Sequence, residues 1–421
     1  MTRNTLLLFI LCLAVPFAAR SEEARHGSDR QARQALMRQA AQALAAGEPQ
    51  RAAGLFEQAA TWYGESVEAE LGMVRAHMQA GAFREALSFA YLASGEHADS
   101  PAAVALLAYI EDRAGQTERG LARLKEAGAR FPDDPSLLAV KAEILIDRGA
   151  AARAVTELDD WFARRPASAE LYALRARAAL AVGDRDGAKD SRQRAERIDA
   201  SAPMQINPLR PIPLMAPLKL AADAEWNAGS GAVIDGGRRV VTLARIVAGA
   251  KGGIWVRNGL GVLRRAQVEA LHEREGTAVL RLDRPYAGAT RLGPESMAEP
   301  APGRPCLVMG YAVAESPEPA YPALAAGLVF RAASADAVQT TLAQTAGFSG
   351  GPVFDAQGRW LGLSLGPSGG AGGQVLRASV FRALLPKESA AAPEAKAAAN
   401  PSFEELYERF MPVVVQVLAV R

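Results

Sequence analysis

A serine set among glycines is the first candidate for chemistry in this chain. Ser349 lies in the segment AGFSGGPVF, residues 346–354. A serine hydroxyl becomes a useful nucleophile only when a neighbouring base takes its proton and a further group orients that base. Backbone N–H groups of a glycine-rich turn can also stabilise the negative charge that forms on a reacting carbonyl oxygen. The chemistry open to Ser349 therefore depends on which base the rest of the chain brings to it.

The overall composition is that of a globular protein. The chain has 421 residues, of which 49% are hydrophobic and 22% charged, so it is long enough for two or three separate cores. A formal net charge of +2 gives no electrostatic basis for binding nucleic acid. The sequence shows no metal-binding cluster or phosphate loop. GSGAVIDG, residues 229–236, opens a strand pattern rather than a helix, so no nucleotide or other cofactor is expected.

The first segment, residues 1–21, is typical of a secretory signal. Its apolar run LLLFILCLAV is shorter than the roughly 20 residues that span a bilayer, and small residues follow at a cleavage site. The high alanine and arginine content suggests a bacterial source. We therefore expect a periplasmic or secreted protein with no stable membrane span after cleavage. Only Cys306 remains in the mature chain, and its apolar surroundings predict a core residue rather than a nucleophile.

Residues 22–201 carry a repeat of 34 residues. Glycines recur at this interval, and a small side chain follows each of them by five residues; the glycines are Gly47, Gly81, Gly115, Gly149 and Gly183. This period resembles the tetratricopeptide repeat, in which two helices cross closely and glycine starts the turn between them. The resemblance implies an all-α solenoid of about five repeats, whose concave groove binds a protein or peptide partner.

A proline-rich linker, residues 202–217, ends the repeat pattern. Short alternating segments separated by Gly, Asp and Asn follow, among them RVVTLARIV, TAVLRLD, CLVMGY and RWLGLSLG. Many short strands with turn residues between them predict an all-β barrel or sandwich over residues 218–386. The chain is thus expected to be multidomain, with an α-helical half followed by an all-β half.

Segments of the second half stand in the order found in one protease family. GSGAVIDGGRRVVTLARIV, TAVLRLD, CLVMGY, AAGLVF and GFSGGPVFDAQGRWLGL resemble trypsin-like serine proteases of the high-temperature-requirement type, over residues 226–385. The resemblance implies two six-stranded β-barrels with the site in the cleft between them. It also implies that Ser349 stands at the nucleophile position and that the N–H groups of Gly347 and Ser349 form the oxyanion hole.

The same resemblance assigns two partners to the nucleophile, and neither residue type is present. The histidine position corresponds to Arg245 in TLARIV, residues 242–247, and the aspartate position to Gly276 in GTAVL, residues 276–280. A guanidinium group stays protonated and offers no lone pair, so it cannot act as a general base. Glu275 is adjacent, but a one-residue offset in a strand points its side chain to the opposite face.

An atypical base is the alternative that would keep Ser349 active. His272 is the only histidine after residue 97, but it lies four residues before the aspartate position. Lys251 falls six residues beyond Arg245, and Lys219 lies near the start of the domain. In a working triad, loss of the base alone costs on the order of 10⁶ in kcat. We therefore expect a pseudoprotease with a binding, scaffolding or regulatory role, with an active serine endopeptidase as the alternative.

Arg245, which stays positively charged, can have a role other than that of a general base. An arginine beside Ser349 would hold a carboxylate, which could be the C-terminus of a bound peptide or an acidic residue of the chain itself. The sequence leaves both possibilities open.

An alanine-rich linker, residues 387–400, precedes a C-terminal segment, residues 401–421. Ser402 and Glu405 form a capping box for a short helix, and VVVQVLAV has the composition of a strand. In the family that the chain resembles, such a helix and strand open the domain, whereas here they follow it. Three outcomes are open: the segment folds back to complete the first barrel, it pairs with another chain, or it has no structured role.

Overall fold

The structure, a computed structural model, describes eight stretches of the chain. They are residues 29–63, 66–166, 168–198, 225–286, 292–311, 320–368, 372–385 and 401–421. The predicted signal sequence (1–21), the proline-rich linker (202–217) and the alanine-rich linker (387–400) lie outside the described residues. Lys219, one of the alternative bases, lies outside them as well.

Ten helices make up the first half of the described chain. They are α1 (residues 29–45), α2 Pro49–Tyr63, α3 Val67–Ala80, α4 Phe83–Glu96, α5 Pro101–Arg113, α6 Thr117–Arg130, α7 Pro135–Asp147, α8 Ala151–Phe162, α9 Ala169–Ala181 and α10 Arg185–Ile198. The five turn glycines adopt left-handed φ angles between 77° and 84°, which glycine reaches without the steric cost of a Cβ. The predicted helical repeat region is confirmed.

The helices of one repeat cross at a distance that only small residues allow. Gly120 follows the turn at Gly115 by five residues, and a Cβ on it would lie 2.6 Å from the carbonyl oxygen of Ala108. Ala108 precedes the same turn by seven residues and is fully buried. The small positions of the repeat therefore keep α5 and α6 in close contact.

Four repeats begin with an N-cap residue that the sequence analysis did not single out. Ser66, Ser100, Asp134 and Ser168 recur at the same 34-residue interval. Each side chain accepts a hydrogen bond from a backbone N–H two or three residues further on. Such a cap satisfies a donor that the first turn of a helix leaves unpaired. The caps set where the first helix of a repeat begins, and the turn glycines set where it ends.

Twelve strands and three short helices make up the second half of the described chain. The strands are β1 Trp226–Ile234, β2 Arg239–Leu243, β3 Gly253–Asn258, β4 Leu263–His272, β5 Thr277–Leu282, β6 Pro305–Gly310, β7 Ala323–Ala332, β8 Ala337–Thr340, β9 Pro352–Asp355, β10 Trp360–Ser368, β11 Gly372–Arg377 and β12 Val414–Val420. The helices are α11 Ala244–Val247, α12 Ala378–Phe381 and α13 Phe403–Phe410. The strands form two closed antiparallel barrels, in the orders β1-β12-β3-β4-β5-β2 and β10-β11-β8-β7-β6-β9. The predicted double barrel is confirmed.

The end of the chain lies inside the first barrel. Strand β12 pairs with β1, from Trp226 opposite Val420 to Ala232 opposite Val414. Its other edge pairs with β3 over six residues, and all seven of its residues are buried. The capping box of Ser402 with Glu405 is formed as predicted. Of the three outcomes that the sequence left open, the structure has the one in which the tail folds back and completes the barrel.

Helix α13 connects the repeats to the second barrel. The Tyr407 hydroxyl donates to the carbonyl oxygen of Pro322 at 2.7 Å, and the Tyr407 ring lies against Phe83 of α4 with 4.3 Å between the centroids. Phe410 stacks on Phe354 of β9 with 3.7 Å between the centroids. These contacts belong to one hydrophobic core that includes residues of the repeats and of both barrels, so burial of apolar surface holds the two halves together.

The turns of the repeats rest on the second barrel close to the Ser349 loop. Arg148 donates to the carboxylate of Asp112 at 2.9 Å and to the carbonyl oxygen of Leu324 at 3.0 Å. Burial raises the pKa of Asp112, but the charges of Arg148 and a second arginine hold it below its usual value. A Cβ on Gly149 would lie 3.5 Å from the methyl group of Thr345. The repeats therefore contact a residue only four positions before Ser349.

We expect a chain that ends at residue 400 to lose its folded structure. Without β12, strands β1 and β3 lose their shared partner, and the core loses α13. Soluble yield and thermal unfolding measure this effect. Tyr407→Phe is a milder matched change that leaves the buried carbonyl of Pro322 unpaired, at an expected cost of about 1–3 kcal/mol in the free energy of unfolding. An unchanged melting temperature of the truncated chain would contradict the assignment.

Candidate functional site

The loop that carries Ser349 belongs to the second barrel and lies at the cleft between the two barrels. Residues Ala346–Phe348 form one tight 3-10 turn, and β9 begins three residues after Ser349. The side chain of Phe348 is fully buried, and Ser349 itself is only 5% exposed. The buried phenylalanine anchors the loop in the core of the second barrel, so the position of the Ser349 hydroxyl is determined by packing.

Two glycine-containing segments from different barrels meet at backbone contact distance. The N–H of Ser230 in β1 donates to the carbonyl oxygen of Ser349 at 2.7 Å. A Cβ on Gly229 would lie 2.9 Å from that same oxygen. A Cβ on Gly350, whose φ is +83°, would overlap the carbonyl oxygen of Ser230. Glycine on both sides is what allows β1 to approach the Ser349 loop this closely.

The Ser230 side chain holds the loop in place and was missed by the sequence analysis. Its hydroxyl, fully buried, accepts from the N–H of Tyr311 at 2.9 Å and donates to the carbonyl oxygen of Gly347 at 2.8 Å. The Thr242 hydroxyl donates to the carbonyl oxygen of Ser230 at 2.7 Å. The partner residues lie 81 and 117 positions away along the chain, so no local sequence signal reveals the contact.

The structure brings Arg245 and Ser349 together. Nη2 of Arg245, in α11 of the first barrel, donates to Oγ of Ser349 at 2.8 Å and to the carbonyl oxygen of Leu365 in β10 at 2.7 Å. The Arg245 residue is exposed overall, and the partial desolvation of its guanidinium by the surrounding protein lowers the pKa of that group, but an arginine still keeps its proton in proteins. Arg245 therefore spans the cleft as a hydrogen-bond donor to both Ser349 and the wall of the second barrel.

The backbone of Gly276 lies beside that of Ala244, the residue before Arg245. Its carbonyl oxygen accepts from the N–H of Ala244 at 2.9 Å, so the residues at the predicted histidine and aspartate positions are neighbours. The φ of Gly276 is +65°, and nothing lies within 4 Å of the place where its Cβ would be. Position 276 thus has open space around it, but its left-handed φ favours glycine.

The other candidate bases do not contact the Ser349 hydroxyl in the described part of the chain. His272 ends β4, in register with Thr277 of β5. Lys251 is an exposed residue whose backbone N–H donates to the carbonyl oxygen of Val420. The hydrogen bond that the structure gives to Ser349 Oγ comes from Arg245. That bond is donated to the oxygen, so it leaves the hydroxyl proton where it is.

One of the two predicted oxyanion donors, the N–H of Ser349, already has a hydrogen-bond partner. The N–H of Ser349 already donates to the carbonyl oxygen of Ala346 at 3.0 Å, within the turn. The N–H of Phe348 likewise donates to the carbonyl oxygen of Thr345 at 3.2 Å, and the Gly347 carbonyl is held by Ser230. An N–H that is bonded inside its own turn is not offered to an oxyanion. In this conformation the Ser349 donor is therefore unavailable, and the role of Gly347 stays a prediction.

The Gln344 side chain bonds to strand β10 close to Ser349. Its side-chain amide donates to the carbonyl oxygen of Gly366 at 3.2 Å and accepts from the Ser364 hydroxyl at 2.6 Å. A Cβ on Gly373 in β11 would overlap this amide, and a Cβ on Gly366 would lie 2.6 Å from Ser349 Oγ. The Gln344 amide therefore lies against the paired strands β10 and β11.

Comparison with known proteins agrees with this architecture. Residues 229–363 match the family model of the trypsin-like peptidase domain, and residues 43–110 and 113–178 match that of the tetratricopeptide repeat. No curated protein matches the chain. The chain therefore joins tetratricopeptide repeats to a trypsin-like peptidase domain.

The solved structures that are similar to this chain include two protease structures. One is the MamO protease domain from Magnetospirillum magneticum in its apo form, with 20% identity and a TM-score of 0.30 over 38% of this chain and 96% of that one. The other is the inactive form of the Rv3671c protease, with 24% identity and a TM-score of 0.31 over 38% of this chain and 85% of that one. Likenesses of this size say nothing about activity.

We expect Ser230→Ala to destabilise the protein. The change leaves the N–H of Tyr311 and the carbonyl of Gly347 buried and unpaired, at a cost of about 2 kcal/mol or more in the free energy of unfolding. Ser88→Ala is the matched control, because the Ser88 hydroxyl is exposed and bonds only within its own helix; it should stay within about 0.5 kcal/mol of wild type. Urea unfolding compares the two, and equal stabilities would argue against the role of Ser230.

Proposed function

We propose that this chain is a pseudoprotease that acts as a protein-binding, scaffolding or regulatory module. The single observation that carries the proposal is the 2.8 Å hydrogen bond from Arg245 to Ser349. A serine protease needs a neutral nitrogen at this place to accept the hydroxyl proton. Guanidinium has no lone pair to offer, so the serine stays a neutral alcohol.

The size of the effect supports a non-catalytic role. Loss of the base in a working triad lowers kcat on the order of 10⁶-fold. The oxyanion hole and substrate binding supply the residual rate in such variants, and here the Ser349 N–H is bonded to Ala346. In this conformation of the described residues, the general base at position 245 and a free oxyanion donor at Ser349 are therefore both absent.

Without catalysis, the groove of the repeats and the cleft between the barrels can still bind a partner. Tetratricopeptide repeats present a groove that commonly binds proteins or peptides. Arg84 of α4 donates to Glu408 of α13 through its backbone N–H at 2.9 Å, and the contacts of Arg148 and Gly149 add to this junction. A partner that engages the groove and the cleft together would meet two surfaces whose spacing is held by a shared core.

We propose that the protein works in the bacterial periplasm or outside the cell. The support for this location is the signal-like sequence of residues 1–21. In the part of the chain that the structure describes, no helix combines the length and apolarity needed to cross a membrane.

The test is the reactivity of Ser349 in the full chain. We expect a fluorophosphonate probe to leave the wild-type protein unlabelled, and unfolded casein to be degraded no faster than by Ser349→Ala. Arg245 is the reason, because it donates to the hydroxyl and cannot accept its proton. Intact-mass spectrometry and gel assays give both readouts.

The Ser349→Ala variant separates the two candidate functions. It removes only the hydroxyl, so activity that persists in this variant comes from a contaminating protease or from a group other than Ser349. Stoichiometric labelling of wild type, lost in Ser349→Ala, would establish the active endopeptidase instead.

A further inference from the structure

Three side chains that can bind a metal ion lie together in the repeat formed by α3 and α4. Glu70 is in the first turn of α3, Glu96 is the last residue of α4, and His97 is the residue that caps α4. One ligand atom from each lies within 4.8 Å of the other two. We call these three residues the Glu70 cluster. Glu70 and His97 are 27 residues apart, so the packing of α3 against α4 creates the cluster and no local motif reveals it.

Glu70 is the buried member of the Glu70 cluster. It is only 4% exposed, and its Oε1 lies 3.0 Å from Nε2 of His97. Its other oxygen, Oε2, is buried too and has no hydrogen-bond partner in the described part of the chain. A buried carboxylate oxygen without a partner is costly, and such a group calls for a bound ion or water. Because both oxygens belong to one carboxylate, the unpaired oxygen lies at the cluster itself.

Glu70 also differs from the other buried carboxylates of the repeats, which have arginine partners. In each of them an oxygen lies within 3.8 Å of a guanidinium nitrogen; these residues are Glu111, Asp112, Glu143 and Asp147. The ion-pair partner of Glu70 is His97, and among the described residues no arginine or lysine pairs with Glu70 or Glu96. A cation placed between these carboxylates would stabilise their negative charge.

The repeat fold does not itself require the Glu70 cluster. The corresponding positions of the next two repeats have hydrophobic or basic side chains, which are Val104, Arg130 and Phe131 in one repeat and Leu138, Arg164 and Arg165 in the other. The helix pairs of those repeats form without an acidic residue at any of these places. The cluster is therefore particular to one repeat, which favours a ligand site over a general role in helix packing.

The ligand atoms indicate the class of metal ion. Imidazole nitrogen suits Zn²⁺ and related transition metals, whereas Mg²⁺ and Ca²⁺ prefer oxygen ligands only. Zinc bonds of about 2.0–2.2 Å place two tetrahedral ligands roughly 3.3–3.6 Å apart, so the 3.0 Å between Glu70 and His97 needs only a small side-chain movement. Glu96 is exposed and His97 partly exposed, so an ion can enter from solvent and keep a water as a fourth ligand.

We propose that Glu70, Glu96 and His97 bind one divalent transition-metal ion of the Zn²⁺ class. A bound ion ties the start of α3 to the end of α4. Helix α4 also carries Phe83, which packs against Tyr407 of the C-terminal segment, so the ion stabilises the helix pair on which that segment rests. The site lies in the repeats and does not depend on the state of the Ser349 hydroxyl.

Isothermal titration calorimetry with Zn²⁺ as the probe tests the site on the full-length mature chain without a purification tag. We expect one tightly bound ion per chain. Loss of a group that merely supports a ligand changes metal affinity 10–100-fold, so Glu70→Gln and His97→Gln should each weaken Zn²⁺ binding at least about 10-fold. His77→Gln is the matched control, because His77 stacks on Phe89 in the same helix pair and is outside the cluster; it should bind Zn²⁺ like wild type.

Thermal unfolding adds a readout that a purely structural contact would not move. Because the ion binds the folded chain, saturating Zn²⁺ should raise the melting temperature of wild type and of His77→Gln. The same addition should leave folded Glu70→Gln and His97→Gln unchanged.

Three results would overturn the metal site. The first is a wild-type chain without saturable Zn²⁺ binding, which is decisive whether or not any variant folds. The second is equal Zn²⁺ affinity in wild type and in folded Glu70→Gln, which would mean that the ion binds elsewhere. The third is Mg²⁺ binding as tight as that of Zn²⁺, which would contradict the transition-metal class.

Discussion

The backbone contact between Ser230 and Ser349 sets the geometry of the cleft. The 2.7 Å hydrogen bond between them requires glycine at positions 229 and 350, because a Cβ at either place would press on the opposite backbone. With the barrels held at this distance, a side chain from the first barrel can reach the second. Arg245 does so, and its bonds to Ser349 and Leu365 follow from the spacing that the glycines permit.

The same spacing depends on parts of the chain far from the cleft. Strand β1, which carries Ser230, is held on one edge by β12 from the end of the chain. The segment before β12 packs between the repeats and the second barrel through Tyr407 and Phe410. The repeats in turn touch Thr345 at the start of the Ser349 turn. The solenoid and the tail are therefore structural supports of the site as well as the outer parts of the molecule.

Features with a local signature were predictable from the sequence. The 34-residue spacing of the turn glycines indicated the helical repeats, and alternating strands with a recognisable motif order indicated two barrels. The partners of Ser230 were not predictable, since they lie 81 and 117 residues away and depend on how two barrels dock. Strand β12 had the composition of a strand, but composition does not name the strands it pairs with. The bonds of the Gln344 amide to Ser364 and Gly366 of β10 are likewise results of tertiary packing.

We propose that Arg245 leaves the Ser349 hydroxyl unactivated. Pre-steady-state hydrolysis of p-nitrophenyl acetate tests this most directly, because an activated serine is acylated before it turns over and releases a burst of p-nitrophenolate. We predict no burst, and a slow linear rate that is the same in wild type and in a chain without the serine hydroxyl. A burst that approaches one equivalent per chain, and that disappears with the hydroxyl, would contradict the account.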